Sequence, residues 1–293
     1  MQQPATVASI RRDTVHPQFT AFDGLARGCL GTLEAVTTEL LSGLESDPVR
    51  LVALEAVHNF RDLGGYATAD GRCTRWRTLF RADGLYRLTA ADVVALEPLG
   101  LRTVIDLRSS PELDERGTFP VDAHPVVFLH LPIIDATWAT GDPVEYDRDE
   151  DFLIWAYQEM LTVGAPRFAA AFAALAQPDA LPAVFHCAAG KDRTGLLAAL
   201  LLGSLGVSHD DIVADYTLTV EGMQRFRVWA AREWPEWFDR MATMPPAFTA
   251  ALPEAMRHVI EELCAKHGSI RAYVRSIGVS DATLATLESV LLA

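Results

Sequence analysis

Cys187 and Arg193 stand six positions apart, where an apolar segment ends and a helix-forming one begins. The full stretch reads Leu181-Pro-Ala-Val-Phe-His186-Cys187-Ala-Ala-Gly190-Lys191-Asp192-Arg193-Thr194-Gly195, and its order predicts strand, loop, helix. A loop between Cys187 and Arg193 can curl so that its backbone N–H groups converge on one point, and the N-terminus of the following helix adds a favourable dipole. Ala188, Ala189 and Gly190 are small enough to let the backbone close on an anion. Arg193 offers a planar fork for two oxygens of a phosphate. The same positive setting favours the thiolate of Cys187, the form that attacks phosphorus and gives a cysteinyl-phosphate for water to hydrolyse. Thr194 can steady the sulfur, Gly195 continues the helix, and His186 is expected to hydrogen-bond the loop backbone. A packed, inert thiol is the plain alternative, but HCx5RTG behind an apolar strand is a restrictive pattern. A Walker loop competes poorly, because Gly190-Lys191 is followed by Asp192 and the earlier glycine is missing.

The elements that must hold this loop follow from patterning. Leu101–Leu107 and Val126–Leu131 read as strands, Arg77–Arg81 as a further strand, and Leu181–His186 as a short buried one. Asp62-Leu-Gly-Gly65 is a turn, and Asp70-Gly71 marks a hairpin. Thr89 caps a helix with Asp92 in its first turn. Asp151–Val163 and Pro166–Gln177 are helical, the second opened by proline. Gly195–Gly206 is a buried helix ended by glycine, Ser208 caps the next, and the chain reads as helical from Glu221 onward. Alternating strands and helices predict an α/β fold, a largely parallel central sheet flanked by helices. Residues 1–50 form an expected helical extension, with apolar spacing over Ala21–Leu44, and residues 51–293 the main domain.

Composition narrows the partners. The chain has 293 residues, half of them apolar, and a formal net charge of −14. Such a surface repels nucleic acid and anionic lipid, so neither is an expected bulk partner. Any phosphorylated substrate needs a local positive pocket, which the Cys187 loop can supply. The four cysteines Cys29, Cys73, Cys187 and Cys264 are widely spaced, and the eight histidines form no HxH or HExxH cluster. A reduced protein without a metal or other cofactor is therefore expected. The most apolar stretch, Leu196–Val207, is about half of the ~20 residues that cross a bilayer. The N-terminus lacks the pattern of a secretory signal, so a cytoplasmic protein without stable membrane insertion is expected.

HCAAGKDRTG resembles the phosphate loop of the protein tyrosine phosphatase superfamily, and within it the bacterial tyrosine/serine phosphatases. Asn59-Phe-Arg-Asp-Leu-Gly-Gly65, Phe80-Arg-Ala-Asp83, Val104-Ile-Asp-Leu-Arg108, and Gly268-Ser-Ile-Arg-Ala-Tyr273 with Ile277-Gly278 extend the likeness over about residues 50–293. The resemblance implies a tyrosine phosphatase-like fold and a metal-independent phosphatase acting on phosphotyrosine, with phosphoserine/threonine and phosphoinositides also open. It implies that Asp192 can serve as the general acid. Asp106, at the C-terminal end of a strand, is the rival, unless it simply pairs with Arg108; Asp135 is a weaker third. Lys191 either adds charge for the same phosphate or, as the resemblance to lipid phosphatases suggests, holds a second one. The aromatic segment Phe226, Trp229, Trp234, Trp237, Phe238 and Met241 is either core or, as the resemblance suggests, part of a helical lid within residues 221–255, broken at Pro245-Pro246. Arg61 and Asp62 either sit near the site or close a local turn, and Arg72, Arg75, Arg77 and Arg81 are expected to be mostly solvated. Two other functions use an anion-cradling loop: a rhodanese-like or arsenate reductase-like enzyme, and a phosphopeptide- or phosphoinositide-binding module without turnover.

Overall fold

The computed structural model describes residues 50–135 and 146–293. The chain divides into two units, Met1–Glu39 and Leu40–Ala293, and every described residue belongs to the second. The helical extension expected over 1–50 and Cys29 lie outside the described residues, apart from Arg50.

The strands β1 (Arg61–Asp62), β2 (Leu79–Ala82), β3 (Thr103–Asp106), β4 (Val127–His130) and β5 (Ala183–His186) form one sheet in the order β1-β2-β5-β3-β4. Only β1 runs antiparallel to its neighbour. Every residue of β2, β3 and β5 is buried, as expected for parallel strands covered on both faces. The register pairs His186 with both Ala82 and Asp106. Three strand ends therefore stop at one level, and the loops that follow them gather beyond their carboxyl ends.

The helices are α1 (Ala90–Leu96), α2 (Ser110–Arg116), α3 (Asp149–Val163), α4 (Ala165–Leu175), α5 (Asp192–Ser204), α6 (His209–Thr217), α7 (Thr219–Glu233), α8 (Pro235–Ala242), α9 (Pro246–Thr249), α10 (Pro253–His267), α11 (Ile270–Ser276) and α12 (Asp281–Leu291). Period-two alternation splits the sheet between two cores. Leu79, Ile105 and Phe185 face the larger one, which holds α3 to α6 and α10 to α12. Phe80, Val104 and Val184 face a smaller one with Val57, Leu96 and Phe119. Helix α5 is buried on all sides from Arg193 to Leu202, so the element behind the loop is wrapped by the main core.

Local signals explain most boundaries. Thr89 and Asp92 form a reciprocal capping box, as do Ser109 and Glu112. Ser208 accepts from the Asp211 amide. Two expectations shift. The strand expected over Arg77–Arg81 begins at Leu79, because Arg77 turns with φ +56° and gives its N–H to Asp62. The helix expected over Gly195–Gly206 begins at Asp192, because the loop itself closes into the first helical turn.

Candidate active site

The loop Cys187–Lys191 leaves β5 and feeds α5. Among the described residues, no backbone N–H from Ala188 to Arg193 donates to a protein acceptor. The carbonyls, by contrast, are taken. Ala188 accepts from the Gly84 amide at 3.1 Å, Ala189 from Asn59 Nδ2 at 3.1 Å, and Lys191 from the Gly195 amide at 2.8 Å. Gly190 accepts from Arg81 Nη2 at 2.7 Å and Asn59 Nδ2 at 3.2 Å. Carbonyls bound outward and amides left free make a concave anion nest. Gly190 is required here: its φ is +66°, and a Cβ would stand 2.6 Å from the Ala82 carbonyl oxygen.

Cys187 is buried at the floor of the nest. Arg193 grips Glu112 with both terminal nitrogens, at 2.5 and 3.0 Å, which leaves its Nε–H and outer hydrogens for another anion. Burial pushes the Glu112 carboxyl up, but Arg193 outweighs it and holds the group at about 2. Burial also opposes the Arg193 charge, yet Cys187 and Glu112 raise it above the ordinary value. Thr194 is fully buried, and its hydroxyl has no protein partner among the described residues. His186 Nδ1 lies 3.3 Å from the Cys187 carbonyl, so it bonds the loop backbone, and burial lowers its pKa.

The two rival acids have different surroundings. Asp192 Oδ1 accepts from Tyr157 at 2.7 Å, and Tyr157 meets Tyr216 at 2.6 Å. Oδ2 of Asp192 has no protein hydrogen bond among the described residues, and the side chain is 26% exposed. Asp106, the rival, stands in a closed setting. It is wholly buried, both oxygens are held by Arg108 at 2.6–3.0 Å, and His186 closes the remaining side at 3.5 Å. Asp106 thus forms an ion pair with Arg108. Asp135 is exposed, and among the described residues no hydrogen bond joins it to the loop.

Lys191 is turned into the protein. Its side chain is buried, and Nζ donates to the carbonyls of Ala247 at 2.5 Å and Ala250 at 3.0 Å. It ties the loop to the segment around α9, and Nζ lies 3.5 Å from Asp192 Oδ1.

Beneath the loop lies a buried network that the sequence reading did not assemble. Asp215 of α6 pairs with Arg61 at 3.0 Å and with Arg81, and it accepts from Tyr66 at 3.0 Å. Arg61 donates in turn to Asn59 Oδ1, which points Nδ2 at the loop carbonyls. Burial pushes the Asp215 carboxyl up, but Arg61 and Arg81 hold it well below the usual range. Burial and the neighbouring Arg61 lower Arg81 to about 10. Arg81, expected at a solvated hairpin, is 1% exposed. The missed signal was its place in Leu-Phe-Arg-Ala: a charge in a central strand requires a buried partner. Asp62 closes the local turn, accepting from Gly64 and Arg77.

Above the loop, α7 and α8 carry their own apolar cluster, in which Met223, Phe226, Ala230 and Met241 pack with Trp234 and Trp237 and touch Ala189. A cavity of about 90 Å³ remains between this cluster and Ala188–Ala189, with Arg87 and Arg116 on its wall. The aromatic segment thus forms a cluster separate from the main core. Among the described residues, no cluster of metal-binding side chains occurs, and no helix is long and apolar enough to cross a membrane.

Comparison with known proteins matches residues 52–293 to the tyrosine phosphatase family model. The triple specificity protein phosphatase PtpB of Mycobacterium tuberculosis is 30% identical, covering 82% of this chain and 98% of that protein. A putative tyrosine-protein phosphatase of Cupriavidus necator is 33% identical, covering 64% of this chain and 70% of that protein. A tyrosine-protein phosphatase of Nostoc commune is 30% identical, over 71% and 72%.

Proposed function

Since the chain belongs to the tyrosine phosphatase family, we propose that Cys187 is its nucleophile and Asp192 its general acid. The Cys187 thiolate attacks phosphorus, and the ester oxygen leaves with the proton of Asp192 Oδ2, the oxygen that Tyr157 does not occupy. The free amides of Ala188–Arg193 and the unspent edge of Arg193 hold the non-bridging oxygens and the charge that grows on them. In the second step water attacks the cysteinyl-phosphate, Asp192 takes a proton from it, and the thiolate departs toward the unpartnered hydroxyl of Thr194. Gly195 belongs to the helix that aims its dipole at the site.

The observation that carries this reading is the inverted loop, with its carbonyls satisfied from outside and its amides left open around a buried sulfur. Phosphotyrosine is the proposed core substrate. The cavity beside Ala188–Ala189 is lined by aromatic and methionine side chains and suits an aryl leaving group. Activity on phosphoserine/threonine and on phosphoinositides is proposed alongside it, supported by the triple specificity named for the mycobacterial relative. Helices α7 and α8 act as a lid within residues 221–255. A catalytic thiolate requires a reducing setting, which supports a cytoplasmic location.

Hydrolysis of an aryl phosphate by the purified protein is the test. Turnover should be blocked by vanadate, insensitive to EDTA, and abolished in Cys187→Ser; full turnover in that variant would refute the assignment. Asp192→Asn should lose far more on alkyl than on activated aryl phosphates, whereas Asp106→Asn should instead lower stability.

A further inference from the structure

An anion nest has a structural cost that its ligand does not repay in the free enzyme. Turning successive amides inward turns the carbonyls into the protein, where each needs a donor. In this loop the two central carbonyls, of Ala189 and Gly190, receive theirs only from side chains, Asn59 and Arg81. Neither side chain is free to choose its direction. Arg61 fixes the Asn59 amide by donating to Oδ1, and an arginine can only donate, so Nδ2 must face the loop. Asp215 fixes both arginines: it meets Arg61 Nε at 3.0 Å, accepts from Arg61 Nη2 on its backbone oxygen at 2.7 Å, and pairs with Arg81 Nη1. Tyr66 completes the carboxylate's partners at 3.0 Å. Arg61, Arg81, Asn59 and Asp215 are all at most 4% exposed.

We propose that Asp215, acting through Arg61 and Arg81, is a positioning residue of the phosphate cradle, and that Arg81 and Asn59 hold its amides in the oxyanion-binding orientation. The proposal rests on the reading of Cys187–Arg193 as that cradle. Two effects are combined. The first is geometric: with Asn59 and Arg81 in place, the peptides between Ala189 and Lys191 cannot rotate their amides away without stripping buried carbonyls of donors. The second is electrostatic. Two guanidinium groups against one carboxylate leave a surplus positive charge within the network, and its contact point is the Gly190 carbonyl. A cation on that oxygen polarises the Gly190–Lys191 peptide and makes the Lys191 N–H a stronger donor toward the cradle.

The effect should therefore appear in oxyanion recognition and not only in stability. In the full chain, Asn59→Ala and Arg81→Lys are expected to weaken vanadate inhibition about ten-fold or more and to lower kcat by roughly 10–100-fold, less than the roughly 100–1,000-fold lost when an oxyanion donor is itself removed. KM for an aryl phosphate should change less than the vanadate constant, and Arg81→Lys, which keeps the charge, should retain more activity than Arg81→Met. Asp215→Asn should move in the same direction; if it does not fold, the Asn59 and Arg81 variants decide the matter at a temperature below their melting transitions. Folded variants that bind vanadate as tightly as the wild type, with activity lost only in proportion to unfolding, would overturn the proposal. A wild-type protein indifferent to vanadate would overturn the cradle itself, and that result is distinguishable because it appears before any substitution is made.

Discussion

The floor and the cover of the cradle are built from opposite materials. Below Cys187–Arg193 lie charges: Asp215 between two arginines and Asp106 on Arg108, all buried, and Glu112, partly buried, on Arg193. Above lie methionine, phenylalanine and tryptophan, many only partly buried and separate from the main core. Directional bonds fix a geometry, and a floor that sets amide directions needs them. Dispersion between flat rings tolerates sliding, which suits the proposed admission of substrates of more than one shape. Rigidity and accommodation are thus assigned to different chemistries on the two sides of one loop.

The largest test of this contrast is Asp215→Ala. It strands two buried guanidinium groups, so a loss of about 3–5 kcal/mol is expected in urea unfolding. A variant as stable as the wild type would show that the floor is not held by charge. Glu112→Gln comes next. The folded carboxyl titrates at about 2 against an ordinary 4.5. A depressed acid contributes stability above its unfolded pKa and loses it as pH falls from about 4.5 toward 2. The variant should lose up to about 3 kcal/mol at neutral pH, and the gap from wild type should close across that acid window. A constant gap would show that the pair acts by shape alone.

Smaller effects are expected above the loop. Lys191→Met removes the donor to the Ala247 and Ala250 carbonyls. Faster hydrogen exchange is expected in residues 245–250, with roughly 1–2 kcal/mol lost; unchanged exchange would show that the lysine does not tether that segment. Trp237→Ala should be mildest, near 1 kcal/mol, because the ring is partly exposed and stacks mainly on Trp234. Its mark should be a faster oxidation of Cys187 by peroxide, read by mass spectrometry. An unchanged rate would remove the shielding role from the cover.

Sequence and structure agree best where the chemistry is contiguous. The strand, loop and helix around Cys187 through Gly195 could be read directly because they are made by neighbouring residues, and the capping residues Thr89 and Ser208 because a cap acts within one turn. The floor was not legible in the same way. Asp215 lies 154 positions from Arg61 and 134 from Arg81, and nothing local declares which distant charge a buried arginine meets. Lys191 was hard to read for a related reason: its position in the loop is fixed by sequence, but the direction of its long side chain is decided by carbonyls of a segment more than fifty residues away. The aromatic spacing of α7 and α8 suited core and lid equally, because spacing does not declare that the cluster is separate from the main core.

Helix α7 begins on the floor. A Cβ at Gly222 would stand 2.8 Å from Asn59 Oδ1, and the Thr219 hydroxyl sits 3.4–3.5 Å from Arg61 and Asn59. The first turn of this helix is therefore masonry shared with the cradle, and any swing that admits a bulky substrate must pivot farther out, beyond Gly222. On the proposed reading of α7 and α8 as a lid, opening the roof would leave the foundations where they were, and large ligands would exchange without rebuilding the cup proposed to grip their phosphate.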